Sequence, residues 1–152
     1  MPMSRSDQDT QSMTIAGLNL IKQAMSIFDR DLNLVLANLQ MQKLFGLPDR
    51  LVQKGASFED TIRHLAERGD YGGVGDIDAF VRSRVDQAKA FVPHYIERTR
   101  ANGRVISVEG NPLSQGGWVT VYTDITHIKR QERLLRARSE ELSDLVLSHT
   151  EE

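Results

Sequence analysis

Residues 92–126 read VPHYIERTRANGRVISVEGNPLSQGGWVTVYTDIT. Three runs rich in β-formers are separated here by two turn signals. Val92 to Thr99 is expected to form a strand. Asn102-Gly103 follows as a hairpin signal, because both central positions of a type I′ turn need positive φ. Arg104 to Asn111 returns as the second strand. Gln115-Gly116-Gly117 turns again into Trp118 to Ile125. In that last strand the two-residue period puts Trp118, Thr120 and Tyr122 on one face and Val119, Val121 and Ile125 on the other. Apolar groups on both faces imply a sheet covered on both sides.

Upstream the pattern is mixed. Ser26-Ile27-Phe28-Asp29 reads as a short strand, Arg30 and Asp31 as a turn, and the alternation of Leu32, Leu34 and Leu36 as a second strand. Asn38 can cap a short helix that carries Leu39, Met41, Leu44 and Phe45 and that Gly46 and Pro48 close. Ser57 with Asp60 is a capping-box pattern ahead of Phe58, Ile62 and Leu65. Asp76 caps a further helix, whose buried stripe is expected to hold Ile77, Phe80, Val81, Val85 and Ala88. Two strands, several helices and a three-strand meander make an antiparallel α+β domain.

Both flanks are expected to differ from this domain. Met1 to Gln11 is polar and aperiodic and reads as a disordered tail. Residues 12–24 read as an N-terminal flanking helix with Ile15, Leu18 and Ile21 at helical spacing. The domain then occupies residues 25–126, and residues 127–152 read as a C-terminal helix. Ile128, Leu135 and Leu142 recur every seven residues, a coiled-coil seam. Polar residues fill the intervening seam positions, so that seam is weak. Leu145 and Val146 restore it near the end.

Composition bounds the function. The chain has 152 residues, 26% charged and 39% hydrophobic, with a net charge of −2. That balance argues against nucleic-acid binding, which needs a basic footprint. No apolar run approaches the roughly 20 residues that span a bilayer, and the N-terminus lacks a signal-peptide pattern. No membrane association is expected, and the cytoplasm is the expected compartment. Zero cysteines exclude disulfides, thiolate metal sites and cysteine nucleophiles. His64, His94, His127 and His149 do not form a metal set, since none is spaced i,i+4 beside a carboxylate ligand. The loop Tyr71 to Gly75 is glycine-rich, but no Lys-Ser/Thr pair follows, so it reads as a cleft-edge loop rather than a phosphate cradle. No nucleophile elbow or triad signature occurs. The chain is not expected to be an enzyme.

The segments taken in order resemble a known family. Met25 to Asp29, Asn38, Phe45-Gly46-Leu47-Pro48, the stretch Glu97 to Arg104, Gly110-Asn111-Pro112-Leu113, Gly116-Gly117-Trp118 and Tyr122-Thr123-Asp124-Ile125-Thr126 are similar to a PAS domain, of the type found in proteobacterial hybrid sensor histidine kinases. The resemblance covers about residues 20–130. It implies a five-stranded antiparallel sheet with helices over one face and flanking helices at both ends. It also implies a sensory input and dimerisation module. A homodimer and a downstream kinase or effector domain are the implied partners. The chain ends at Glu152 without a nucleotide-binding or phosphoacceptor segment, so any kinase activity is expected elsewhere.

The resemblance places Trp118, Thr120 and Tyr122 toward a cleft, with Ile106 and Val108 beside them and Arg98 at the rim. Arg98 facing a cleft could take a carboxylate bidentately. The plain alternative is a solvated arginine. A noncovalent small molecule is compatible with this cleft, and no cofactor is expected. Haem is disfavoured, because relatives take their iron ligand from the helix Asp76 to Phe91, which holds no histidine. A covalent flavin adduct needs a cysteine, and Tyr122 replaces the glutamine of flavin relatives. Trp118 is the residue nearest to an argument for noncovalent flavin, although burying a large aromatic is its commoner role. Asp124 and Thr126 are the expected relay, fixing the angle at which the C-terminal helix leaves the sheet. Thr126 is expected to cap that helix, and Asp124 to pair with Arg104 or the Asn102-Gly103 hairpin. Leu18, Ile21, Ile128, Leu135 and Leu142 are the expected dimer contacts. The competing expectations are a ligand-free interaction or dimerisation module, and a noncovalent flavin or haem redox sensor.

Overall fold

A computed structural model describes residues 4–100 and 102–151, with side chains as far as residue 147. The first three residues of the expected tail, the His149 side chain and Glu152 fall outside it. The elements follow the order α1 (Arg5–Leu18), β1 (Ala24–Phe28), β2 (Leu34–Ala37), α2 (Leu39–Phe45), a 3₁₀ turn (Asp49–Leu51), α3 (Phe58–Glu67), α4 (Ile77–Lys89), β3 (His94–Thr99), β4 (Val105–Pro112), β5 (Trp118–Asp124) and α5 (Thr126–Glu151). All five strands join one antiparallel sheet in the order β2-β1-β5-β4-β3. The last strand therefore lies at the centre, and the chain leaves from the middle of the sheet into α5.

Local chemistry accounts for the helix starts. The side chains of Asn38, Ser57 and Asp76 each accept a backbone N–H of the helix they precede. Each removes one of the unpaired donors that every helix N-terminus carries. Gly46 ends α2 in the left-handed conformation, at φ 60°, which costs a residue without Cβ nothing.

The N-terminal elements depart from expectation in three places. Helix α1 begins at Arg5, so the tail expected to run to Gln11 is helical over residues 5–11. Ser4 caps it by accepting the Asp7 N–H at 3.1 Å. The same helix ends at Leu18, six residues short of the expected Ala24. Tertiary hydrogen bonds stop it. Asn38 Nδ2 donates to the carbonyls of Leu18 and Gln23, and Asn19 Oδ1 accepts the Leu39 N–H. Ile21 consequently lies outside the helix that it was expected to share with Ile15 and Leu18. Strand β2 also starts late. Asp29 Oδ1 accepts the N–H groups of Asp31 and Asn33, so residues 29–33 form a turn, with Leu32 at φ 61°.

The core lies between the sheet and helices α2, α3 and α4. One cluster joins Ala24, Met41, Leu47, Leu51 and Leu65, with Phe45, Tyr71 and Tyr122 packed against it. A second joins Phe28, Leu32 and Leu34 with Phe58, Val85, Ala88 and Phe91. Val81 of α4 is 1% exposed. The opposite sheet face is barer. Met25, Ile27, Val119 and Val121 are only half-buried, and every residue of the edge strand β3 is exposed. No described helix is long and apolar enough to cross a membrane.

Candidate functional site

The junction between sheet and α5 is a closed set of hydrogen bonds. Asp124 Oδ2 accepts from Arg104 Nε at 2.9 Å and Nη2 at 2.6 Å. Asp124 Oδ1 accepts the Thr126 N–H at 3.0 Å and the Thr126 hydroxyl at 2.6 Å. Thr126 Oγ1 in turn accepts the Val105 N–H at 2.9 Å, and the Ile125 N–H donates to the Val105 carbonyl. The start of β4, the end of β5 and the first turn of α5 are thus tied at one point. The expected capping roles are exchanged. Asp124 takes the helix-start N–H, while Thr126, 3% exposed, spends its acceptor on the sheet. Burial of the Asp124 carboxyl opposes ionisation. The Thr126 hydroxyl and N–H and the Arg104 guanidinium outweigh it and hold its pKa below the ordinary value.

A second tie lies one strand over. Lys129, one turn into α5, reaches Glu97 Oε1 of β3 at 2.9 Å and Glu132 at 3.2 Å. Those two carboxylates, Glu97 first, raise the Lys129 pKa. Glu97 points to the outer face of the edge strand while its neighbour Arg98 points to the inner one. Glu132, Arg133 and Arg136 continue to border a groove with Glu97, Thr99 and Val105, while the apolar residues of α5 stay uncovered. Ile128, Leu135 and Leu142 are all exposed, Leu135 at 66%.

The helix-facing side of the sheet has an aromatic end and a hydroxyl-rich centre. At the aromatic end Trp118 stacks on His94 at 5.4 Å and lies 6.0 Å from Phe91. Its Nε1–H donates to Thr120 Oγ1 at 2.9 Å. The indole fits because Gly110 faces it on β4. A Cβ there would come within 2.3 Å of Trp118 Cζ2 and 2.8 Å of His94 Cε1. At the centre the Tyr122 ring meets Phe45 edge-on at 5.0 Å. Burial of its phenol, with Tyr71 alongside, pushes the Tyr122 pKa up to about 12, so the group stays neutral. Ser26 shares this face, opposite Thr120 in the register. It is 1% exposed, and its hydroxyl acts as a hydrogen-bond partner of the Tyr122 phenol, partly offsetting the effect of burial on that group.

The register brings the expected cleft residues onto one face. Val108 lies opposite Tyr122, Ile106 opposite Asp124, and Arg98 opposite Ile106. Ile106 is buried, Val108 and Trp118 half-buried, and Arg98 exposed. Two arginines escape the sequence reading. Arg100 Nη1 donates to the Leu44 carbonyl at 2.8 Å, and its guanidinium lies 5.6 Å from the Phe45 ring. Arg84 lies 5.4 Å from the Tyr71 ring and 5.9 Å from that of Phe80. A signal for Arg84 was present: it falls among Phe80, Val81, Val85 and Ala88, a charge on the apolar stripe of α4.

Comparison with known proteins agrees with this architecture. No curated protein matches the chain. Among solved structures, the PAS domain of Bordetella pertussis BvgS superposes with a TM-score of 0.53 at 17% identity, over 91% of this chain and 99% of that one. The phage VqmA–DPO complex matches with a TM-score of 0.50 at 20% identity, over 90% of this chain and 61% of that one. The PAS domain of an HTR-like protein from Haloarcula marismortui matches with a TM-score of 0.45 at 16% identity, over 78% and 99% of the two chains. The first two superpositions show a shared fold. The family model described as the PAS fold matches residues 18–133, most of the chain, and on that match the chain belongs to the PAS fold family.

Proposed function

We propose that this chain is the sensory input and dimerisation module of a signalling protein, with a histidine kinase as the output its sequence resembles, and that it is not itself an enzyme. The observation that carries the reading is the closed junction of Arg104, Asp124, Thr126 and Val105. It makes the direction of α5 depend on the relative position of β4 and β5. The central strand β5 carries Trp118 and Tyr122 on its inner face and passes directly into that helix. A molecule held against those side chains would shift β5 and tilt α5, with Glu97 and Lys129 coupling the edge strand to the same turn. Small free-energy differences suffice to bias two arrangements of such a helix.

Two copies joined through α5 would cover Ile128, Leu135 and Leu142, which are exposed on the single chain. The half-buried Val119 and Val121 of the outer sheet face add apolar surface nearby. Native mass spectrometry of freshly purified protein tests this reading, because it reports stoichiometry and retained ligand together. A dimer carrying a small molecule is the expected result. A bare monomer at high micromolar concentration overturns it. A second reading, a ligand-free interaction module, draws on the packing of Phe45 against Tyr122, which fills the centre of the cleft. A dimer that retains and binds no small molecule would favour it.

A further inference from the structure

We propose that α5 pairs with the same helix of a second copy of this chain in the antiparallel direction, so that the basic half of each helix lies along the acidic half of the other. The proposal rests on the α5-pairing reading above and adds the direction of the pair. Residues 127–138 carry Lys129, Arg130, Arg133, Arg136 and Arg138, with Glu132 as their only acid. Residues 139–152 carry Glu140, Glu141, Asp144, Glu151 and Glu152, and no lysine or arginine. This division runs against the field of the helix itself. A helix N-terminus favours acids and its C-terminus favours bases, yet the first turn of α5 holds no acid. Within one chain that arrangement is unfavourable. A second α5 running the other way sets opposite charges and opposite helix ends side by side, which turns the same charges into an attraction.

The apolar stripe of α5 supplies the independent observation. At 3.6 residues per turn, Ile128, Leu134, Leu135, Leu142 and Leu145 fall on one side of the helix, and all five are exposed. Arg138 falls in the middle of that stripe. In a parallel, in-register pair each seam residue meets its own copy. Arg138 would then face Arg138 between leucines, two cations brought together where water is scarce. In an antiparallel pair the facing residue is a different one, Leu135 or Leu142 in the registers that align the two stripes. The arginine can lay its stem on that leucine and turn its head toward the acids of the other copy.

The flank of the stripe and its surroundings agree. Arg130, Glu141 and Asp144 lie toward the same side of the stripe. Antiparallel helices set a flank against the same flank of the partner in reverse order, so Arg130 of one copy comes to the acids of the other. A parallel pair keeps basic level with basic and acidic level with acidic. The domain leaves room for the second helix. Lys129, Glu132, Arg133 and Arg136, which border the groove with Glu97, Thr99 and Val105, lie on the side of α5 away from the stripe. The ion pairs of α5 among the described residues use Lys129 and Glu132. Arg130, Arg138, Glu141 and Asp144 can therefore be exchanged without cutting the ties to the sheet.

Sedimentation equilibrium of the full-length chain at low and high salt tests the direction. An antiparallel pair should weaken as salt rises, because its charges attract and salt screens them. Charge exchange gives a second readout. Arg130→Glu with Arg138→Glu, and separately Glu141→Lys with Asp144→Lys, should each raise the dissociation constant about ten- to a hundredfold, the worth of a few surface pairs turned from attraction to repulsion. A chain carrying all four substitutions has the charges exchanged end for end and should recover most of the lost affinity. Amide protection at Val105 should stay at the wild-type level in every variant, which shows the junction intact. A dimer that tightens with salt, double variants that pair as tightly as wild type, or a four-substitution chain as weak as the double variants would overturn the antiparallel direction and leave pairing through α5 standing. A chain that stays monomeric at high micromolar concentration at every salt removes the pairing reading and the direction with it.

Discussion

Thr126→Val is the sharpest test of the junction. Valine has nearly the volume of threonine, so packing at this buried position is conserved while one hydroxyl is lost. Two hydrogen bonds go with it. The Val105 N–H loses its 2.9 Å acceptor and is left in a site that water does not reach. An orphaned buried donor costs about 1–3 kcal/mol. The 2.6 Å bond to Asp124 also disappears, but the Asp124 side chain is 39% exposed. Water replaces the lost donor there, and the residual cost is about a few tenths of a kcal/mol. The sum is about 2 kcal/mol, or a fall of roughly 4–8 °C in melting temperature for a domain of this length. Thr126→Ser keeps the hydroxyl and should lose well under half of that. Denaturant unfolding measures the free energies, and amide exchange followed by NMR reads the Val105 proton directly. Protection at Val105 should collapse in Thr126→Val and survive in Thr126→Ser. If valine leaves both stability and Val105 protection unchanged, the junction does not hold the helix, and the relay built on it falls.

Three further outcomes follow from other parts of the molecule. Gly110→Ala puts a methyl where Trp118 lies; it should cost about 1–3 kcal/mol by overpacking and shift the fluorescence of the single tryptophan, and an unchanged spectrum would place the indole elsewhere. Asp124 has a lowered folded pKa, so its stabilising contribution is present above the ordinary carboxylate pKa and lost as pH falls through the folded value. Asp124→Asn should therefore flatten the acid limb of the stability curve, leaving the part due to Asp70, which Arg68 holds low; an identical limb in the variant refutes the assignment. Leu135→Lys in both copies of an α5-paired dimer should raise the dissociation constant roughly a hundredfold or more, since each buried leucine contributes about 1.5–3 kcal/mol; light scattering that shows an unweakened dimer would move the interface off this seam.

The meander was legible because its signals are local. Asn102-Gly103 marked the turn but not its type: the Gly103 N–H closes on the Arg100 carbonyl, one residue earlier than a type I′ pair at 102–103 requires, and among the described residues of the turn only Gly103 takes the left-handed region, at φ 84°. The two-residue period then carries Trp118, Thr120 and Tyr122 to one face. The caps at Asn38, Ser57 and Asp76 were legible for the same reason: each side chain bonds within its own turn. The N-terminal flank was not. Asn38 also reaches back about twenty residues to Leu18, and no window of sequence around Ile21 contains that bond. Helical spacing through Ile15, Leu18 and Ile21 therefore overran the real end of α1. At the other end, Ser4 with Asp7 was a readable cap, but the polar composition of residues 5–11 outweighed it. A helix without a buried face leaves no hydrophobic period to read.

The site divides along the same line. Asp124 and Thr126 are two residues apart, and their bonds to each other follow from the turn between strand and helix. Arg98 could be placed on the inner face by parity alone. Arg84 was legible only in part: a charge on the apolar stripe of α4 marks it, while its place over the Tyr71 ring depends on how α4 lies across the sheet. Ser26 makes the same point from the opposite direction. A serine in a strand is ordinary, and only its burial beside Tyr122 makes its hydroxyl a partner of that phenol. Ser26→Ala tests whether the contact counts. A loss of about 1 kcal/mol in denaturant unfolding is expected for a typical hydrogen bond. A gain in stability would show that the hydroxyl is unsatisfied and that burying it only costs the fold.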